Sequence, residues 1–245
     1  MGDLAVRGDS NSFMVDLSAE AAGLWTALET FPGGRTRLVQ FVAATTGAGS
    51  STIARELAFH AAAKSGKRVW LVDLDLATSP QAGAIAAQAD RYGPLGPASA
   101  ASPNGAVFFT VQPPLRRPDG RPWSDARYFA AHAVGAANFW VTRFRADALR
   151  GPQTVEVTGG GEYWQALRRH ADLIVVDAPS ADRSSAALTI ARLVDETILV
   201  VAADQPDIGA PGRLRDAITA AGGRCVGVFL NRASLEPLPF LRSAI

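Results

Sequence analysis

Residues 39–54 read VQFVAATTGAGSSTIA, and how this stretch is read decides the fold. An apolar run at 39–44 feeds a short turn punctuated by Gly47 and Gly49, and a helix-forming tract follows from Ser51. Strand, small-residue turn and helix in that order make a phosphate-binding loop, where backbone N–H groups and a helix N-terminus face an anion. The full pattern, G-x-x-x-x-G-K-[ST], carries a lysine after its last glycine. Here Gly49 is followed by Ser50, and Ala44 holds the first glycine position. The loop is present; its phosphate-gripping residue is not.

Two further strands carry the carboxylates that such a loop needs. Residues 68–74, RVWLVDL, form a continuous apolar run suited to a strand buried on both faces, and they lead into Asp73-Leu74-Asp75. Residues 172–177, DLIVVD, end in Asp177-Ala178-Pro179. A phosphate-bound Mg²⁺ requires hard oxygen ligands and a water-orienting carboxylate. Ser51, Asp75 and Asp177 are the candidate metal ligands, and Asp73, Asp75 and Asp177 the candidate catalytic carboxylates. The loop residues Gly47, Ala48, Gly49, Ser50, Ser51 and Thr52 are the candidate phosphate contacts.

Strand and helix signals alternate along the rest of the chain. A helix is expected at 17–31, closed by Pro32-Gly33-Gly34. Strands are expected at 38–43, 68–74, 172–177, 197–202 and 224–230, with helices at 51–64, 162–170, 186–194 and 212–221. This alternation implies an α/β fold, a doubly wound, mostly parallel sheet with helices on both faces and right-handed crossovers. The chain reads as one domain over residues 1–245, with 1–35 as an N-terminal extension and helix. Residues 77–137 form an insertion rich in Ala, Pro and Gly. Within it a strand is expected at 106–111 and a helix at 124–137, with a strand following at 139–143; residues 93–105 are expected to be its loosest part. Arg116, Arg117, Arg121 and Trp123 are read as a solvated loop rather than a nucleic-acid patch.

Bulk composition excludes several classes. At 245 residues and 48% hydrophobic the chain can bury a full core. A formal net charge of +1 gives no global field toward nucleic acid or an anionic membrane. The single cysteine, Cys225, rules out an intrachain disulfide and reads as a small buried hydrophobe. No apolar run approaches the ~20 residues needed to span a bilayer, so no direct membrane insertion is expected, and the cytoplasm is the expected compartment. Lys64 and Lys67 are the two lysines of the chain.

The chain resembles the MinD/ParA-like P-loop ATPases and, within them, the cytoplasmic domains of bacterial tyrosine (BY-) kinases of capsule and exopolysaccharide biosynthesis. The likeness is strongest over 39–77 and 171–233. The family's second motif, three apolar residues then D-x-D-x-R, is matched by Trp70-Leu71-Val72-Asp73-Leu74-Asp75-Leu76-Ala77 except at its last position. Its third, three apolar residues then D-x-P, is matched fully by Ile174-Val175-Val176-Asp177-Ala178-Pro179. The resemblance implies Mg-ATP or Mg-ADP as cofactor and assigns Asn231 to the adenine. It also implies a membrane-embedded polysaccharide co-polymerase as partner, leaving this chain peripheral to the inner membrane, and it allows a homodimer.

The departures from the family carry equal information. Ser50 replaces the lysine, and the extra signature lysine is absent from Thr45 and Thr46. Glu20 is followed by Gly23 and Thr26 where an E-x-x-R-x-x-R oligomerisation motif would place arginines, and the tail has no tyrosine beyond Tyr163. Lys64 and Lys67 lie roughly 20 Å from the loop at ~1.5 Å per helical residue. Three carboxylates thus face a loop left with backbone donors and a helix end worth ~0.5 charge. Losing one partner of a desolvated charge pair costs on the order of 2–5 kcal/mol. The leading expectation is a pseudo-ATPase or pseudokinase that binds nucleotide weakly or not at all and acts by association. The alternatives are an active ATPase or tyrosine kinase in which Arg183, or an arginine of a second subunit, supplies the charge, and a positioning ATPase of the MinD/ParA type. Tyr92, Tyr128 and Tyr163 read as half-buried structural tyrosines, and His60, His132 and His170, all placed on helical tracts, carry no assigned chemistry.

Overall fold

The computed structural model describes residues 17–29, 36–205 and 207–233. The expected helix stop at 32–34, the N-terminal extension before residue 17 and the tail from 234 onward lie outside the described residues. The chain runs α1 (Ser18–Glu29), β1 (Arg37–Ala43), α2 (Ser50–Ser65), β2 (Val69–Asp73), α3 (Pro80–Ala86), α4 (Ala89–Tyr92), β3 (Ser99–Ala100) and β4 (Phe109–Gln112). It continues with β5 (Phe129–Ala133), β6 (Phe139–Phe144), β7 (Thr154–Val157), α5 (Gly161–Arg168), β8 (Leu173–Asp177), α6 (Ala186–Ile190), β9 (Glu196–Ala202), α7 (Ala210–Ala220) and β10 (Cys225–Asn231).

Eight strands form one sheet in the order β10-β9-β1-β8-β2-β6-β5-β3. From β10 to β6 every pairing is parallel, and β5 and β3 add an antiparallel edge. A doubly wound, mostly parallel sheet is therefore what the chain adopts. Its central strands are buried throughout because apolar residues face both sides. Leu38, Val42, Val72, Ile174 and Val176 enter one core, under α5, α6 and α7. Val39, Phe41, Leu71, Leu173 and Val175 enter the other, under α1 and α2. Helix α2 lies close on the sheet because its buried side is largely alanine (Ala54, Ala58, Ala61, Ala62).

The topology places the site. Strand β1 has β9 on one side and β8 on the other, and β8 in turn pairs with β2. Phe41 pairs with Asp177, and Asp73 also pairs with Asp177. The loop after β1 and the carboxylates ending β8 and β2 therefore meet at the carboxyl edge of the sheet, where such folds bind ligands.

The insertion differs from its sequence reading. Residues 124–137 are not a helix. A single 3₁₀ turn at Asp125–Tyr128, capped by Ser124, leads straight into β5, which pairs antiparallel with β6. The alanines favour helix locally, but burial of Phe129 and Ala131 against the sheet and the pairing with β6 override that preference. Residues 93–105 are laid along β5 through β3 and the Leu95–Val134 bridge. Gly93 and Gly135 meet backbone to backbone: a Cβ on Gly93 would lie 2.5 Å from Gly135 Cα. The expected strand at 106–111 is β4, and its antiparallel partner β7 was not visible in the sequence. His132 accordingly sits on a strand, with Nδ1 2.9 Å from Gly96 O. Tyr92, Tyr128 and Tyr163 are fully buried rather than half-buried. Cys225 is half-buried, and that partial burial raises its thiol above the ordinary value.

Phe108 ties the two-stranded β4–β7 sheet to the main sheet. Its ring lies 5.1–5.4 Å from those of Phe109, Phe129, Tyr163 and Trp164, and it is completely buried. Phe108→Ala is expected to lower stability by about 3–5 kcal/mol, measured by urea denaturation. A loss below about 1 kcal/mol would mean that the β4–β7 pair is not part of the cooperative core.

Candidate functional site

The turn between β1 and α2 owes its shape to two glycines in the left-handed region, Gly47 at φ 85° and Gly49 at φ 94°. Gly49 caps α2, and a Cβ there would fall 2.2 Å from Asn231 Nδ2. Side chains hold the turn from both flanks. Thr45 Oγ1 donates to Gln205 Oε1, and the Thr46 N–H donates to Asp182 Oδ2 at 2.9 Å. On the other flank Asn231 Nδ2 donates to Ala48 O at 2.9 Å, and Arg232 Nη2 to Gly47 O at 2.6 Å. The turn is fixed without a lysine.

A cleft of about 410 Å³ opens beside it, lined by Thr45–Gly47, Gly49–Thr52, Asp75, Asp177, Ser180, Arg183 and Arg232 among others. Most predicted site residues thus converge: Gly47, Gly49, Ser50, Ser51, Thr52, Asp75 and Asp177 border one cleft. Ala48 is buried under the turn. Asn231 lies behind the turn, with its amide committed to Ala48 O. Ser50 opens α2 and is 8% exposed, so a short buried hydroxyl stands where a long cation would project.

The carboxylates divide into different roles. Asp73 does not line the cleft. Its two oxygens accept the backbone N–H groups of Asp75 (3.0 Å) and Gln81 (2.9 Å). These bonds shape the exit from β2. Burial, and then the charge of Asp177, raise its carboxyl well above the ordinary range. Asp177 is buried and accepts from Gln81 Nε2 at 2.6 Å through Oδ2, while its Oδ1 has no partner among the described residues. Burial pushes its carboxyl up to about 6, opposed by Gln81 and Ser51. Asp75 pairs with Arg183, Nη2 to Oδ2 at 3.0 Å.

A buried polar chain backs the site. Gln81 Oε1 accepts from Arg55 Nη1 at 2.9 Å, and Arg55 Nε donates to Tyr92 Oη at 3.2 Å. Tyr92 donates to Glu56, which also pairs with Arg91 at 2.6 Å. Sequence reading missed Arg55, Glu56 and Gln81; the signal available was an Arg-Glu pair inside the Ala- and Leu-rich run of α2. It also missed Asp182 and Arg232. The expectation of a loop with backbone donors and a helix end alone is corrected, because Arg183 and Arg232 border the cleft and Arg55 stands behind it. Lys64 and Lys67 are remote as expected, with Lys67 over the Trp25 ring.

Glycine backbone, the start of a 16-residue helix, Ser51, Asp75 and a buried unpartnered Asp177 oxygen fit a magnesium-bound phosphate. Among the described residues no cluster of three or more His, Cys, Asp or Glu is arranged to hold a metal alone, so phosphate oxygens would have to complete the shell.

Asp177 sets a pH signature. Its carboxyl rises from 3.8 to about 6, so the native state binds the proton more tightly than the unfolded chain, and stability falls as pH rises between these values. Asp177→Asn is expected to stabilise the protein by on the order of 3 kcal/mol above pH ~6, a gain that shrinks to nothing toward pH ~4. Thermal melts across that range measure it, and a pH-independent difference would contradict it.

No protein-family model matches the chain. Over 70 residues, 29% of this chain, it is 30% identical to CapB of Staphylococcus aureus, provisionally described as a tyrosine-protein kinase. That match spans 31% of the length of CapB. The kinase domain of the Escherichia coli tyrosine kinase ETK superposes with a TM-score of 0.61 at 16% identity, covering 97% of this chain and 85% of that one. The septum site-determining protein MinD of Pyrococcus horikoshii, solved with Mg-ADP, superposes with a TM-score of 0.52 at 16% identity, covering 85% of this chain and 76% of that one. The chain is built on the fold of the MinD/ParA-like P-loop ATPases, in the form shared with bacterial tyrosine kinase domains.

Proposed function

We propose that this chain is a BY-kinase-like protein of exopolysaccharide or capsule biosynthesis or export whose cleft no longer transfers phosphate and which acts by protein association. Its partner is a membrane-embedded polysaccharide co-polymerase, and the chain works in the cytoplasm, peripheral to the inner membrane through that partner. Among the described residues no helix is long and apolar enough to cross a membrane. The observation that carries the reading is Ser50, a buried hydroxyl at the start of α2 in the position of the lysine.

The chemistry supports the same conclusion. Bound Mg-nucleotide would supply a phosphoryl group, and its transfer depends on positioning and charge neutralisation. Ser51 and Asp75 would hold the magnesium, and Asp177 would orient a water or hydroxyl. Without the lysine, the first turn of α2 carries no cation, and Arg55 further along the helix is committed to Gln81 and Tyr92. Arg183 pairs with Asp75, the residue that would hold the metal, so arginine and magnesium would compete for one carboxylate. A second reading, an active ATPase or kinase, is favoured by that same contact, since Arg183 stands at the cleft. It requires turnover that disappears in Arg183→Ala.

The purified protein is expected to show no ATP hydrolysis or tyrosine phosphorylation above that of an Asp177→Asn control, while co-purifying with the co-polymerase of its own pathway. Turnover at micromolar ATP that is lost in Asp177→Asn would overturn the non-catalytic reading. Ser50→Lys is expected to tighten Mg-ATP binding by at least about tenfold, measured by calorimetry.

A further inference from the structure

The end of β10 is fastened to the phosphate loop. Asn231 holds Ala48 O, and the next residue, Arg232, places its guanidinium 2.6 Å from Gly47 O. Arg232 adopts φ 57°, a left-handed conformation that a non-glycine side chain takes only when its surroundings enforce it. Arg183 borders the same cleft from the connection after β8. Each guanidinium rests on a carboxylate, Arg232 on Asp204 at 3.1 Å and Arg183 on Asp75 at 3.0 Å.

We propose that Arg232, with Arg183 beside the same cleft, supplies to a bound nucleoside di- or triphosphate the cationic contact that a lysine at position 50 would have made. The proposal deepens the reading above and rests on its view of the cleft as a phosphate site. It does not depend on the absence of turnover.

Three observations carry it. The cation is already at the loop, bonded to the loop's own backbone. A guanidinium has five N–H donors, more than the bonds to Gly47 and Asp204 use, and it meets phosphate oxygens in charge-assisted, bidentate geometry. Asp177, fully buried, lines the same cleft with one oxygen lacking a partner, which independently marks the cleft as incomplete without a ligand. The cation beside the loop thus comes from the end of a neighbouring strand instead of the helix start, with Asp204 as its counter-ion.

The test is calorimetric titration of the full chain with ADP, ATP, AMP and inorganic phosphate, each with Mg²⁺, with ATP hydrolysis followed in parallel. Wild type is expected to bind ADP and ATP. Arg232→Ala and Arg232→Gln are each expected to bind about tenfold or more weakly, with Arg232→Lys intermediate and every variant still melting cooperatively without ligand. Ser50→Lys placed in the Arg232→Gln background is expected to restore the affinity. Equal affinity in wild type and both neutral variants would overturn the proposal, as would no binding by wild type. Hydrolysis by wild type that depends on Asp177, together with the Arg232 effect, would sink the non-catalytic reading and leave the arginine assignment standing.

Discussion

Asp73 and Asp177 lie buried side by side at the ends of paired strands, and Asp177 borders the cleft beside the loop between β1 and α2. The surrounding structure must satisfy two carboxylates in a place that water does not reach. Asp73 is satisfied by backbone: two N–H groups from the turn after β2 close on it. Asp177 is satisfied on one oxygen by Gln81, which Arg55 orients from behind. The turn after β2, the start of α3 and the polar face of α2 take their positions from this need. Neutralising Asp177 would relax the protein rather than break it, which is the opposite of what an ordinary core residue does. Sites that hold ligand carry such strain, because the ligand and not the fold completes them.

What the sequence revealed and what it withheld divide along a physical line. Features carried by adjacent residues were legible. The apolar strands at 68–74 and 172–177 announced their burial, their terminal aspartates announced the site, and the run from Val39 to Thr52 announced the loop. Features that arise from pairings distant in sequence were not. Arg55 meets Gln81, Thr46 meets Asp182, and Gly47 meets Arg232, and no spacing rule predicts any of these contacts. Asp73 illustrates the difference, because its motif reads as catalytic while its surroundings show both oxygens spent on backbone. The error at 124–137 has a similar origin. Alanine-rich tracts favour helix in isolation, yet β6 offered this segment a partner strand, and pairing with burial outweighed local preference.

The loop's independence of lysine follows from the same distant contacts. Bonds from Asp182, Gln205, Asn231 and Arg232 hold it on both flanks, and they come from the chain after β8, the turn after β9 and the end of β10. A loop so held keeps its shape when one side chain is replaced. This explains how the architecture of a phosphate site persists around Ser50 without the turn collapsing. Persistence of shape and persistence of chemistry are separate matters. The first depends on hydrogen bonds to carbonyls and N–H groups; the second on charge delivered where phosphate charge changes during transfer.

That separation gives the location of the cations its meaning. A lysine at the first residue of α2 would move with the helix whose N-terminus faces the phosphates, so its charge and the helix end would act on the same oxygens. A guanidinium arriving from residue 232 is anchored instead to β10, the edge strand of the sheet, where Val228 and Leu230 face outward at 64% and 55% exposure. Its contact with Gly47 and that of Asn231 with Ala48 make the strand end and the loop one mechanical piece. The end of β10 cannot shift without breaking the bonds that shape the turn. A cation placed this way suits holding a charged ligand, or reporting that one is held, better than following a phosphoryl group from donor to acceptor.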